Sequence, residues 1–183
     1  MRTLVCSAAV LLLGSLAVSA HHDDAPAGAP VRLEIALDKA EYPFRGAIAL
    51  TVTYTNVSKG DVVLWANGRA PGEGFPGETF EITSGAGRKT YTIVGVEPQV
   101  DKVTIKPGES WKRTIKDLAP TLSTGVVIDS KAPRDTDALP DPFGQLDDFT
   151  IRLSFQSAVK NQAKPALNGR VESNTLKFKV RLQ

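Results

Sequence analysis

The sequence predicts an all-β fold, a two-sheet antiparallel β-sandwich of immunoglobulin-like type, and three observations predict it. Apolar residues recur at every second position in several short stretches. Glycine- and proline-rich turns punctuate those stretches, and no stretch sustains a helical period. The clearest stretch is Gly46 to Asn56, where Ile48, Leu50, Val52 and Tyr54 face one way and Ala49, Thr51, Thr53 and Thr55 the other. It reads as a half-buried central strand around which the others must assemble.

Before any fold is built, residues 1–20 are set aside. Arg2, the apolar run Leu4 to Val18 and the small residues Val18-Ser19-Ala20 follow the plan of a secretory signal. Residues 21–30 lack periodicity and read as a flexible leader, leaving 31–183 as one domain. The expected location is secreted or periplasmic. No later stretch reaches the roughly 20 apolar residues of a membrane helix, so no transmembrane segment is expected. Cys6, the only cysteine, lies within the signal, so disulfides are not expected and stability must come from packing.

Lys and Arg together number 22 and Asp and Glu 20. That near balance argues against a nucleic-acid partner, which calls for a clustered basic surface. The expected state is a monomer, with another secreted or cell-envelope protein as its partner.

Strand one is expected over Val31 to Leu37, with Val31, Leu33, Ile35 and Leu37 inward. Tyr42 to Gly46 turns the chain into the central strand, and Asn56 to Gly60 turns it out again. Asp61 to Ala66 carries Val62, Val63, Leu64 and Trp65 in succession, which suits a strand covered on both faces or one crossing between sheets. Glu78 to Thr83 and Lys89 to Val94 form a hairpin through Ser84 to Gly87, with Phe80 and Ile82 inward. Val100 to Lys106 and Ser110 to Leu118 form another, hinged at Lys106-Pro107-Gly108-Glu109, with Trp111 and Ile115 inward. Thr124 to Ile128 reads as a short strand. In the last two strands Phe149, Ile151, Leu153 and Phe155 alternate with polar residues, and so do Leu176, Phe178, Val180 and Leu182. Two long loops, 67–77 and 129–148, interrupt the pattern, and loops of that length in a compact domain tend to be functional or disordered.

Three pieces together carry a resemblance: Leu37 to Gly46 with Thr53-Tyr54-Thr55-Asn56, then Ile105 to Trp111, then Ser173 to Phe178. The chain resembles the immunoglobulin-like module of bacterial secreted proteins. It is similar to stand-alone proteinase-inhibitor domains and to the non-catalytic N-terminal domain of deuterolysin-type metalloendopeptidases. The resemblance runs from about Val31 to the C-terminus and implies a fold and a non-enzymatic, proteinase-inhibitor-like or accessory role. It carries over no catalytic residue.

Candidate chemistry is sparse. His21 and His22 at the expected mature terminus are the candidate metal ligands, for Cu(II) or Ni(II), set against the plainer reading of a solvated tail. Asp129, Asp135, Asp137, Asp141, Asp147 and Asp148 are oxygen donors of the kind calcium takes, although a solvated acidic loop explains them as well. Asp147 and Asp148 are also the pair an alternative function would use, that of a carboxylate-dependent hydrolase. Ser157-Ala158-Val159-Lys160 has the spacing of a serine–lysine enzyme without its further motifs. Lys177, Lys179 and Arg181, with Arg152 beside them, form a cationic stripe that reads as a solvated face or as a binder of anionic polymers. Asn56-Val57-Ser58 is a glycosylation acceptor motif. The expectation is a secreted binding module, not an enzyme, with no cofactor, recognising its partner through the two long loops.

Overall fold

The computed structural model describes residues 29–67, 77–92, 100–123, 142–156 and 170–182. These residues are all-β apart from one short helix. In chain order the strands are β1 (Val31–Leu37), β2 (Glu41–Pro43), β3 (Leu50–Asn56), β4 (Val62–Asn67), β5 (Glu78–Ser84), β6 (Gly87–Thr92), β7 (Val100–Ile105) and β8 (Ser110–Ile115). Then follow α1 (Leu118–Ser123), β9 (Asp147–Gln156) and β10 (Arg170–Arg181).

The alternation of apolar and polar residues sets the strands, and their pairing sets three sheets. One sheet has the order β1-β3-β8, a second β2-β10-β9-β5-β6 and a third β4-β7. The inner residues of the first two meet in one core that includes Val31, Leu33, Ile35, Leu50, Val52, Tyr54, Phe80, Ile151, Leu153, Phe155, Phe178 and Val180. Ile48 and Ile115 are buried with them and Trp111 packs partly buried against them, as the alternation predicts. Tyr54 of β3 meets Phe155 of β9 edge to face, with ring centroids 5.7 Å apart, a favoured aromatic geometry. The side chain of Trp65 lies outside the described set.

Several expectations need correction. The central strand begins at Leu50, because Gly46 closes a turn by donating to the Pro43 carbonyl and the Ile48 carbonyl accepts from Leu118. Tyr42 and Pro43, expected within the turn, instead join Glu41 in a strand running parallel to β10, so the second sheet is not wholly antiparallel. Leu118 begins a helix and does not end β8. Asp117 caps it by accepting from the Ala119 amide at 3.3 Å, and Pro120 is tolerated in the first turn, where the amides lack helical acceptors. Leu182 lies past the end of β10 and is 74% exposed. The short strand expected over Thr124 to Ile128 falls outside the described residues.

The segments on either side of Pro107 also do not pair with each other. β8 pairs with β3, down to Thr55 opposite Ser110, and β7 pairs with β4, from Ile105 opposite Val62. The two ladders are therefore successive stretches of one two-stranded ribbon, interrupted where both chains bend. Gly108 at φ 77° permits the tight turn on one side, with Glu109 donating to the Lys106 carbonyl.

Asn56 ties the two bends together. Its amide nitrogen donates to the carbonyls of Gly60 (2.7 Å) and Ile105 (2.8 Å), and its side-chain oxygen accepts from the Ser58 amide and hydroxyl. Both side-chain hydrogens are committed and the residue is fully buried, so the Asn56-Val57-Ser58 motif is not an accessible glycosylation acceptor in the folded chain. Ser58 serves the bend instead.

β10 carries a bulge at Ser173-Asn174, where two residues face the single Leu153 of β9. The Ser173 hydroxyl accepts from the Leu153 amide and donates to the Asn174 carbonyl, replacing ladder bonds the bulge removes. Asn174 then reaches across to β1, accepting from the Ile35 amide at 2.8 Å and donating to the Ile35 carbonyl at 2.9 Å.

Candidate functional site

Glu78 opens β5 one residue past segment 68–76, after Gly77, and the pairing of β5 with β9 sets it opposite Phe155, which aims its side chain inward with Phe80 and Ile82. Arg113 takes the inward position between Trp111 and Ile115 on β8, opposite Val52 of β3. Tyr54 is the next inward residue along β3. These three meet between the sheets. The Tyr54 hydroxyl donates to Glu78 Oε1, and the Arg113 guanidinium forms an ion pair with Glu78 Oε2. The side chains of Glu78 and Arg113 are 0% and 3% exposed.

Charges this deep persist only when paired and hydrogen-bonded, because removing them from water costs several kcal/mol each. Here the carboxylate has a cation on one oxygen and a phenol on the other. Burial, then the charge and hydrogen bond of Glu78, push Tyr54 well above the usual tyrosine range, with Arg113 opposing weakly. Tyr42 is also raised, by burial and by its 2.5 Å hydrogen bond to Asp38.

Both tyrosines thus keep their protons in the folded state at pH values where the unfolded chain loses them. The stability they contribute is fully present below about pH 10 and declines as pH rises above it, since the unfolded state then binds fewer protons. In an alkaline titration, at least these two of the three tyrosines should yield no phenolate absorbance until the protein unfolds. Full ionisation near pH 10 with the near-ultraviolet dichroism of the fold retained would refute this.

The bridge lies at one end of the five-stranded sheet, and three connections join the described structure there. The Gly77 carbonyl accepts from the Gln156 amide at 3.1 Å. Gln156 pairs with Arg170, and Thr79 faces both Thr92 and Ser154. Segments 68–76, 93–99 and 157–169 therefore enter or leave the sheet side by side, with Glu78 at their base.

The second long loop, 129–148, joins β9 elsewhere. Its described part, Pro142 to Asp148, reaches β9 at the opposite end of the sheet, where Phe143 is buried against Phe149 and Phe178. The described ends of the two long loops, Gly77 and Pro142 to Asp148, thus meet the five-stranded sheet at opposite ends.

The other candidate residues divide similarly. His21, His22, Asp129, Asp135, Asp137, Asp141 and Ser157 to Lys160 fall outside the described residues. Asp147 and Asp148 are adjacent on a strand, so their side chains diverge. Asp147 accepts from the Gly85 amide (2.7 Å) and from Gln145 (3.3 Å), bracing the β5–β6 turn, while Asp148 pairs with Arg181. They form no convergent pair of the sort glycoside hydrolysis needs.

Of the cationic stripe, Lys177 and Lys179 are exposed on β10 and form no ion pair among the described residues, whereas Arg181 pairs with Asp148 and Arg152 lies in an ion-pair network. Across the outer face, Arg88, Glu81, Arg152, Glu172 and Arg170 are linked in that order by contacts of 3.6, 3.5, 3.0 and 3.1 Å. Such exposed pairs contribute about 0–1 kcal/mol each and make the part of the face around Arg152 alternate in sign.

The fold and the bridge define an all-β chain whose two larger sheets are joined by a buried tyrosine–carboxylate–arginine contact. No protein-family model matches it, and no curated protein does. Among solved structures it is similar to the sporulation control protein Spo0M of Bacillus subtilis, at 13% identity with a TM-score of 0.37. The match covers 85% of this chain and 51% of that one, so the chain spans about half the length of that neighbour. No helix among the described residues is long and apolar enough to cross a membrane.

Proposed function

We propose that the chain is a secreted, non-enzymatic binding module, an immunoglobulin-like sandwich that recognises another secreted or cell-envelope protein through the end of the sheet bearing segments 68–76, 93–99 and 157–169. The observation that supports this reading is the buried Tyr54–Glu78–Arg113 bridge directly beneath the exit of segment 68–76. A loop presented from a rigid base loses less conformational freedom on binding, which is how scaffolds with variable loops gain affinity.

The test compares three forms of the protein as bait in the secreted fraction of the producing cell: intact, with 68–76 shortened to a tight turn, and with 129–141 shortened. Shortening 68–76 should abolish capture of a partner that the other two forms retain, while the unfolding free energy from urea titration stays within about 0.5 kcal/mol of the parent. Equal capture by all three forms, or none by the intact protein, would sink the reading.

A further inference from the structure

At the opposite end of the sheet from those connections, a cleft of about 460 Å³ opens between the β2–β3 connection, α1 and Phe143. Ile48, Phe143 and Val180 form a floor of buried apolar side chains, with Pro43 and Pro120 among the walls. Two charged residues, Asp117 and Arg45, stand on the lining. Asp117 already serves as the cap of α1. Arg45 differs: among the described residues no carboxylate lies within ion-pair distance of it, and its guanidinium rests 5.2 Å from the centroid of the Phe44 ring.

The backbone of Arg45 is also unusual. The turn closed by the Gly46 amide on the Pro43 carbonyl (2.8 Å) places Arg45 at its third position, with φ 61°. Left-handed backbone favours glycine or asparagine at that position. Arginine is held there at a local conformational cost, and the result is an exposed cationic residue on the lining of the cleft. Strained positions that persist in a fold concentrate at sites of binding.

We propose that this cleft binds a small apolar carboxylic acid, its hydrocarbon part on Ile48, Phe143 and Val180 and its carboxylate on the Arg45 guanidinium. The volume lies within the range of small-molecule sites, roughly 300–1,000 Å³. A guanidinium offers two parallel donors that match a carboxylate, a fit that lysine cannot reproduce. This site is independent of the protein-binding end.

The experiment is a calorimetric titration of the intact chain with octanoate and with octanol, repeated on R45Q and R45K, with the site located by amide chemical-shift changes. Octanoate should bind, perturbing Ile48, Phe143 and Val180, and octanol should bind at least about tenfold more weakly, because a hydrogen bond to a charged group contributes on the order of 1.5–3 kcal/mol. R45Q should lose a similar factor for octanoate and nothing for octanol. Partial retention in R45K would support the two-donor geometry. Equal binding of acid and alcohol, an unchanged R45Q, shifts away from the cleft or no binding would each overturn the proposal. So would tighter binding of a leucine-terminated hexapeptide than of octanoate, since the occupant would then be a chain terminus. Because Arg45 is exposed, its replacement leaves the core intact, and an unaltered unfolding midpoint verifies that.

Discussion

Replacing Glu78 with alanine should destabilise the protein by about 3–5 kcal/mol, the usual consequence of leaving one member of a buried ion pair uncompensated. The effect is large because total stabilities are about 5–15 kcal/mol. Arg113 would keep its charge in a site 3% exposed, and Tyr54 would lose the acceptor for its hydroxyl. Removing both charges together tells a different story. The double variant Glu78→Leu with Arg113→Met fills similar volume without a charge to desolvate, and it should recover most of the loss. Urea unfolding followed by tryptophan fluorescence measures both. A single variant within about 1 kcal/mol of the parent would show that Glu78 and Arg113 do not form the pair described above.

Gly77→Ala should be nearly as damaging, at about 3 kcal/mol or more, for a reason that lies in the backbone. Gly77 has φ 93°, which side chains with a Cβ rarely adopt, and a methyl group there would overlap the carbonyl oxygen of Gln156. That carbonyl belongs to the residue whose amide Gly77 accepts, so neither partner can withdraw without opening the end of the β5–β9 ladder. Gly87→Ala supplies the comparison. It shares a positive φ, 114°, but a Cβ would meet nothing within 4 Å, so only the conformational cost of about 1 kcal/mol should appear. Equal losses at the two positions would mean that the overlap at Gly77 is relieved by movement.

Much of the fold was legible because period-two alternation reports directly which face of a strand meets the core. β1, β3, β9 and β10 follow it, and Ser84 to Gly87 make the expected turn. Elements without that signature were harder to read. β2 has three residues, too few to show a period, and its parallel partner is remote in sequence. α1 has six residues, fewer than two turns, so no helical periodicity can emerge. The assumption that sequence neighbours pair failed at Pro107, where each strand takes its partner from the other side of the bend.

The buried bridge was present in the pattern but hidden by residue type. Glu78 shares its parity with Phe80 and Ile82, and Arg113 with Trp111 and Ile115. Charged residues are ordinarily assigned to the outside, yet two inward-phased residues of opposite sign on separate strands are a signal that they meet. What no alternation could reveal is that segment 68–76 leaves beside 93–99 and 157–169, because that depends on register across four strands.

The amide of Asn174 has a consequence for how copies of this protein behave in a crowded compartment. β1 is the outer member of its sheet, and a strand in that position ordinarily offers free backbone donors and acceptors to any extended chain that passes. One side chain from the bulge of β10 occupies both backbone groups of Ile35, near the middle of that border. An incoming strand would have to displace it before it could zip along β1. The same irregularity that interrupts β10 therefore discourages self-templated aggregation along β1.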